Sequence, residues 1–166
     1  MHAVREPRAR APAQRPARIR PGYRRILVPV ADRDEAMAAV DLAAQLTAAK
    51  QSSVTVVTVI EVPLDLPLDW QLPAEERAAH ALLEQARAVV DSYGLSFVGR
   101  VVRGRSAGAA IVDEATRRPV DLIVFGVLRR MHPNLRARAF GPTVDFVMRH
   151  APCRVMIAAA PAERRR

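Results

Sequence analysis

Aromatic residues make up only 4% of this 166-residue chain, as four Phe, two Tyr and one Trp. With half of the residues hydrophobic, its core must be built from Ala, Val, Leu and Ile. A single cysteine, Cys153, excludes an intrachain disulfide and a cysteine-based metal cage. No run approaches the roughly 18 apolar residues of a membrane span, and the N-terminus lacks the apolar stretch of a secretory signal. Together these absences predict a soluble protein of a reducing compartment, the cytoplasm. The phosphate-cradling patterns G-x-x-x-x-G-K-[ST] and G-x-G-x-x-G and the nucleophile elbow G-x-S-x-G are also missing. Lys50 is the only lysine among 26 Lys and Arg residues.

The charge is unevenly placed. The net +9 comes from the ends. Residues 1–25 hold eight Arg against one acid, Glu6, and the terminal four residues hold three Arg and Glu163. Between them, residues 26–162 are balanced. A neutral central part does not read as a nucleic-acid binder, and no specific nucleic-acid partner is expected. Residues 1–22 are rich in Arg, Pro and Ala without apolar periodicity. Such a segment cannot offset its ordering entropy by burial, so a disordered linker or a stretch upstream of the natural start codon is expected. The alternative is a basic arm for an acidic surface or nucleic acid, although no aromatic is interleaved for base stacking. Residues 161–166 form a second, short basic tail.

From Tyr23 onward the pattern alternates. Ile26–Val30, Ser53–Glu61, Ser96–Arg103, Val120–Phe125 and Arg154–Ala159 read as apolar, partly β-branched strands. Asp34–Ala49 reads as a helix with Met37, Val40, Leu42 and Leu46 on its apolar side. Ala74–Tyr93 is the clearest helix, with Leu82, Leu83, Ala86, Val89, Val90 and Tyr93 on one side and Gly94 as its stop. Ser106 caps a third helix to about Arg117, and Gly141-Pro142-Thr143 opens a fourth that ends near His150. Five strands alternating with four helices predict a single α/β domain over residues 23–160, with a doubly wound parallel sheet covered on both faces. Ligands of such sheets sit beyond the carboxyl ends of the strands.

These segments resemble the universal stress protein family. YRRILVPV is similar to the family's first strand and SVTVVTVIEVP to its second. VDLIVFG followed by GPTVDFVMRHAPCRVMIAAAP is similar to its last third. EVPLDLPLDWQLPAEE also resembles stress-protein domains fused to amino-acid permeases, which implies a membrane transporter as a candidate partner. The family resemblance implies strand order 3-2-1-4-5, dimer formation and, for some members, ATP or AMP as ligand. It places the base near Val59, the first strand's end at Val30 and Ala31, and the phosphates near Gly126, Gly141 and Thr143. ATP-binding members carry G-x-x-G, nine residues, then G-[ST]. Here Gly126 matches, Arg129 replaces the second glycine, eleven residues precede Gly141, and Pro142 replaces the hydroxyl residue. Ala31 replaces an acid, with Asp32 one position later. Pro142 has no N–H to donate to a phosphate. Arg129, Arg130, Arg136 and Arg138 could supply charge in its place. The nucleotide site is therefore expected to be degraded and binding weak.

Other chemistry reads as structural. Gly104-x-x-x-Gly108 is a strand-to-helix turn, His2, His80, His132 and His150 are scattered, and Cys153 is a small buried side chain beside the last strand. Asp32, Asp34 and Glu35 suggest a receiver-type acidic cluster, but the lysine that such a site needs after the last strand is missing. Trp70, in the Pro-rich connection, is taken as a hydrophobic plug in preference to a partner surface. The last strand has no charge or proline between Val155 and Ala160, so it is an unprotected edge and predicts a homodimer. The function expected is regulatory and non-enzymatic, in protein interaction or stress response. The alternatives are a working ATP or AMP sensor and an accessory domain of an amino-acid transporter. A nucleotide hydrolase is disfavoured, because no base, nucleophile or metal set is visible.

Overall fold

Ile26, Leu27 and Val28 are fully buried in succession, so both faces of the segment that carries them are covered. They lie in β1 (Arg25–Pro29), the middle strand of the sheet. The computed structural model describes residues 22–31, 33–47, 52–127 and 141–159. The expectations for the arm, Asp32, Lys50, Arg129 and its neighbouring arginines, and residues 161–166 concern residues outside that description.

The elements follow as α1 (Arg33–Gln45), β2 (Ser53–Glu61), α2 (Pro73–Ser92), β3 (Ser96–Gly104), α3 (Ala107–Arg117), β4 (Leu122–Val127), α4 (Pro142–His150) and β5 (Arg154–Ala159). All strands pair in parallel, in the order β3-β2-β1-β4-β5. This is the expected doubly wound α/β fold. Strand alternation sorts the core into two layers. Ile26, Val28, Val54 and Val56 meet α1 and α2 on one face, while Leu27, Val57, Ile123 and Phe125 meet α3 and α4 on the other.

The β1–β4 seam is short, with only Ile26–Leu122 and Leu27–Ile123 in register. Beyond it Val30 N–H donates to Val57 O at 2.9 Å, so the end of β1 stays with β2. At the other end of the seam, the Asp121 carboxylate accepts from the main-chain N–H groups of Arg24 (3.2 Å) and Arg25 (3.0 Å). Arg25 Nη2 also reaches it at 2.8 Å, and Asp121 N–H donates to Arg25 O at 2.9 Å. The edge strand β3 is tied to α3 by buried Glu114, which pairs with Arg100 at 3.3 Å and Arg118 at 2.7 Å.

Some expectations shift. The first helix ends at Gln45, short of Ala49, because Thr47 turns back to bridge Tyr23 and its hydroxyl donates to Ala43 O. Its buried face is Ala36, Ala39, Val40, Ala43 and Ala44, while Met37, Leu42 and Leu46 are only half-buried. The fourth strand starts at Leu122 because Asp121 is engaged with Arg24 and Arg25, and it runs through Gly126 to Val127. Pro73 opens α2, as a first-turn proline can. Tyr93 is 42% exposed and ties the end of α2 to α1 through its hydroxyl, which donates to Asp41 at 2.6 Å. That bond pushes the phenol's pKa up. Trp70 is not a plug, since it is 52% exposed on a connection held from behind by Arg103 and Arg105. Cys153 is half-buried, and burial pushes its thiol up, with the charge of Asp121 adding to the effect.

Candidate functional site

In an open parallel sheet the crevice forms where neighbouring strands send their connections to opposite faces. Here that point lies between β1 and β4, where the short seam lets the strand ends part. A cavity of about 210 Å³ occupies it. Pro29, Val30 and Ala31 line one side, Val57 and Val59 of β2 continue it, and Phe125 and Gly126 of β4 stand opposite. Ala107 and Ile111 of α3 and Thr143 and Val144 of α4 complete the wall, with Ala36 of α1. Val57, Ile111, Phe125 and Val144 also belong to the core layer under α3 and α4, so the floor of the slot is continuous with packed interior.

Of the residues expected at a ligand site, Val30, Ala31, Val59, Gly126 and Thr143 therefore meet around one cavity. Gly141 and Pro142 stand beside it at the entry of α4 without lining it. Gly141 has φ of +81°, a conformation that favours glycine, while a Cβ there would meet nothing within 4 Å. It is the chain's turn into the helix that requires glycine. The contributions of Pro29, Ala36, Val57, Ala107, Ile111, Phe125 and Val144 were not anticipated. Val57 could have been, because it is two residues from Val59 on the same face of β2. Ala107 and Ile111 follow the Ser106 cap, but nothing in the sequence tells that the third helix begins at this slot.

The polar features are few. Thr143 brings the only side-chain hydroxyl of the lining, and no carboxylate, imidazole, thiol, Lys or Arg lines the slot among the described residues. Two helices start at it. The first-turn N–H groups of a helix lack intrahelical acceptors and favour negative charge. At α3 that position is already taken, since Ala107 N–H donates to the Glu61 carboxylate at 2.6 Å and Ser106 Oγ accepts from Ala109 at 3.5 Å. At α4 Pro142 has no N–H, which leaves those of Thr143 and Val144, and no side chain caps the helix among the described residues. Asp145, also in that first turn, works against an anion there. The arrangement suits a flat apolar group in the slot with an anionic end toward α4. Apart from the Thr143 hydroxyl, no nucleophilic or acid–base side chain lines it among the described residues, and no cluster of three or more metal-ligating side chains occurs among them. No helix among the described residues is long and apolar enough to cross a membrane.

Comparison with known proteins agrees with this fold. Universal stress protein UspA from Lactobacillus plantarum is 26% identical, with 82% of this chain and 97% of that one covered and a TM-score of 0.61. A universal stress protein from Archaeoglobus fulgidus in complex with dAMP is 18% identical over 81% and 97% of the two chains, with a TM-score of 0.62. A universal stress protein family member from Arabidopsis thaliana with AMP bound is 17% identical over 84% and 94%, with a TM-score of 0.58. No curated protein matches the sequence significantly. The model of the universal stress protein family matches residues 22–159, from the bridge at Tyr23 to the end of β5. With the strand order in agreement with that match, the chain belongs to the universal stress protein family.

Proposed function

We propose that this chain is a non-catalytic regulatory domain that takes an adenine nucleotide weakly, base in the slot and phosphate toward the α4 entry. The observation that carries the reading is the apolar cavity at the β1–β4 parting, with one helix start left for an anion. That proteins of the same fold hold AMP and dAMP supports it. Weakness follows from the residues: Ala31 offers no carboxylate to a ribose, Pro142 no N–H to a phosphate, and Arg129 stands where a glycine would let the backbone approach. A dissociation constant of about 0.1–1 mM is expected, equivalent to about 4–5.5 kcal/mol.

Calorimetry with AMP and ATP at low and physiological salt tests this. Binding should weaken as salt rises, because a partly exposed phosphate is screened. Val59→Trp, which fills the slot with its own ring, should abolish the heat while the protein stays folded. No heat at millimolar nucleotide, or tight binding that ignores salt and the Val59 variant, would overturn the proposal.

A second reading, a nucleotide-independent interaction domain, is favoured by β5. Val155, Met156, Ile157 and Ala158 are half-buried along a sheet edge with no charge among them. Pairing of this edge with a second copy would cover it, and the homodimer and a role in stress response through protein contacts belong to this reading.

A further inference from the structure

The connection from β2 to α2 is fixed in place and yet turns its largest apolar side chains outward. Leu66 N–H donates to Pro63 O at 3.1 Å and Trp70 N–H to Pro67 O at 3.0 Å, giving two successive turns. Arg105 reaches Val62 O at 3.1 Å and Leu66 O at 2.8 Å and also bonds Pro63 O. Arg103 bonds Trp70 O and pairs with Glu76. The guanidinium groups thus hold the backbone, and Leu64 (87% exposed), Leu68 and Trp70 are left facing solvent. Around them Asp65, Asp69 and Glu75 are exposed and make no ion pair among the described residues. A backbone held in place that exposes three large apolar side chains, with exposed carboxylates beside them in the chain, is suited to being covered. The chemistry that fits it is cationic, with flat or ring-shaped apolar groups.

The chain carries such a segment. Residues 1–21 hold Arg5, Arg8, Arg10, Arg15, Arg18 and Arg20, four prolines and a single acid, Glu6. Proline-rich extended chains dock on exposed aromatic rings, and guanidinium groups stack on indole and bond carboxylates. The segment joins the domain at Tyr23, beside the start of β2, whereas the patch follows the end of β2. β2 spans about 30 Å, and 21 residues in an extended polyproline geometry reach about 65 Å. We infer that the patch of Leu64, Leu68 and Trp70 with Asp65, Asp69 and Glu75 is the seat of the chain's own N-terminal segment, residues 1–21. The tether raises the local concentration of the segment to the millimolar range, so weak contacts suffice. Its arginines meet the acids, its prolines and guanidinium planes meet Trp70, and salt releases it.

Trp70 is the only tryptophan, so its fluorescence reports the patch alone. The test is quenching by acrylamide, an uncharged probe, in the full-length protein at about 20 mM and about 500 mM salt. The expected result is a quenching constant about two-fold smaller at low salt than at high salt. It should not depend on protein concentration. A full-length variant with Asp65→Asn, Asp69→Asn and Glu75→Gln should give the high-salt value under both conditions. Equal quenching of the unmodified protein at both salts would overturn the inference, as would a salt response that survives in the variant. Protection that grows with protein concentration would also overturn it, by assigning the cover to another molecule.

Discussion

Removing the Asp121 carboxylate tests how the short β1–β4 seam is held, and the structure sets the size of the effect. Asp121 accepts two main-chain N–H groups and the Arg25 guanidinium at distances between 2.8 and 3.4 Å. Its side chain is 31% exposed and that of Arg25 49%, so water replaces part of what is lost. Charge-assisted bonds are worth about 1.5–3 kcal/mol when buried, and exposed pairs below about 1 kcal/mol. For Asp121→Ala we expect a loss of about 1–2 kcal/mol, or roughly 3–6 °C in Tm for a domain of this size. Asp121→Asn keeps one acceptor oxygen and should lose about half of that. The pH dependence has a definite sign. The Arg25 hydrogen bond, joined by the N–H groups of Arg24 and Arg25, holds the carboxyl below its usual range, against the opposing effect of burial. The folded-state pKa is thus below the unfolded one, so the contribution is complete above about pH 5 and disappears as pH falls through the folded value. Thermal melts from pH 7 to pH 3 of the unmodified protein and both variants are the assay. The gap between them should narrow below pH 4. Equal Tm at pH 7, or a gap that does not change with pH, would refute the account.

Gly108→Ala should lower Tm, because a Cβ there would stand 3.0 Å from Phe146 Cβ and Cδ1. In a Phe146→Ala background the same change should cost less but still lower Tm, because the ring atoms that crowd the site are gone while the Cβ of residue 146, also 3.0 Å away, remains. Cys153 should react slowly with thiol reagents at neutral pH in the native protein and quickly in urea, since burial pushes its pKa up. Fast native reaction would contradict that placement. Met156→Lys on the β5 edge should give monomers by light scattering if the unmodified protein is a dimer, while helix content by circular dichroism stays unchanged.

Much of the fold could be read from the sequence, because the inner strands had to be apolar on both sides. β2 and β5 fall at their expected limits, β3 runs one residue longer, and β1 and β4 are shifted at both ends, by one and two residues. The misjudged parts share a cause, which is that side-chain size is a poor guide to burial where helices lie close to a sheet. In α1 the larger Met37, Leu42 and Leu46 suggested the buried side, yet Ala36, Ala39, Ala43 and Ala44 face the core beside Val40. Small residues let the helix approach, and the longer side chains fill its flanks. Trp70 reverses the same error. Its size suggested a plug, but Arg103 and Arg105 hold its connection through backbone carbonyls and leave the ring outside. Bonds from an arginine to a distant carbonyl have no periodicity, so no sequence pattern announces them.

The candidate site divides along the same line. The residues that came from the loop motif and the strand ends, Val30, Ala31, Val59, Gly126 and Thr143, do gather at one cavity. They belong to elements far apart in the chain, and only the parallel order β2-β1-β4 brings their ends together. The motif says nothing of the slot's far wall, where Ala107 and Ile111 come from a helix outside it. Nor does it tell that Glu61 already occupies the start of α3. That bond has a functional consequence. Two helix starts face the slot, and both could in principle attract the same anion. With the first neutralised by a carboxylate of the chain itself, any anionic group is directed to the second, where Pro142 removes a donor and Asp145 adds opposing charge. The apolar walls retain their full capacity for a flat ring, while among the described residues the anionic end of the site is thinned to Thr143 and Val144. Under the proposed function, discrimination would rest on the ring more than on the number of phosphates, so AMP and ATP should differ little in affinity.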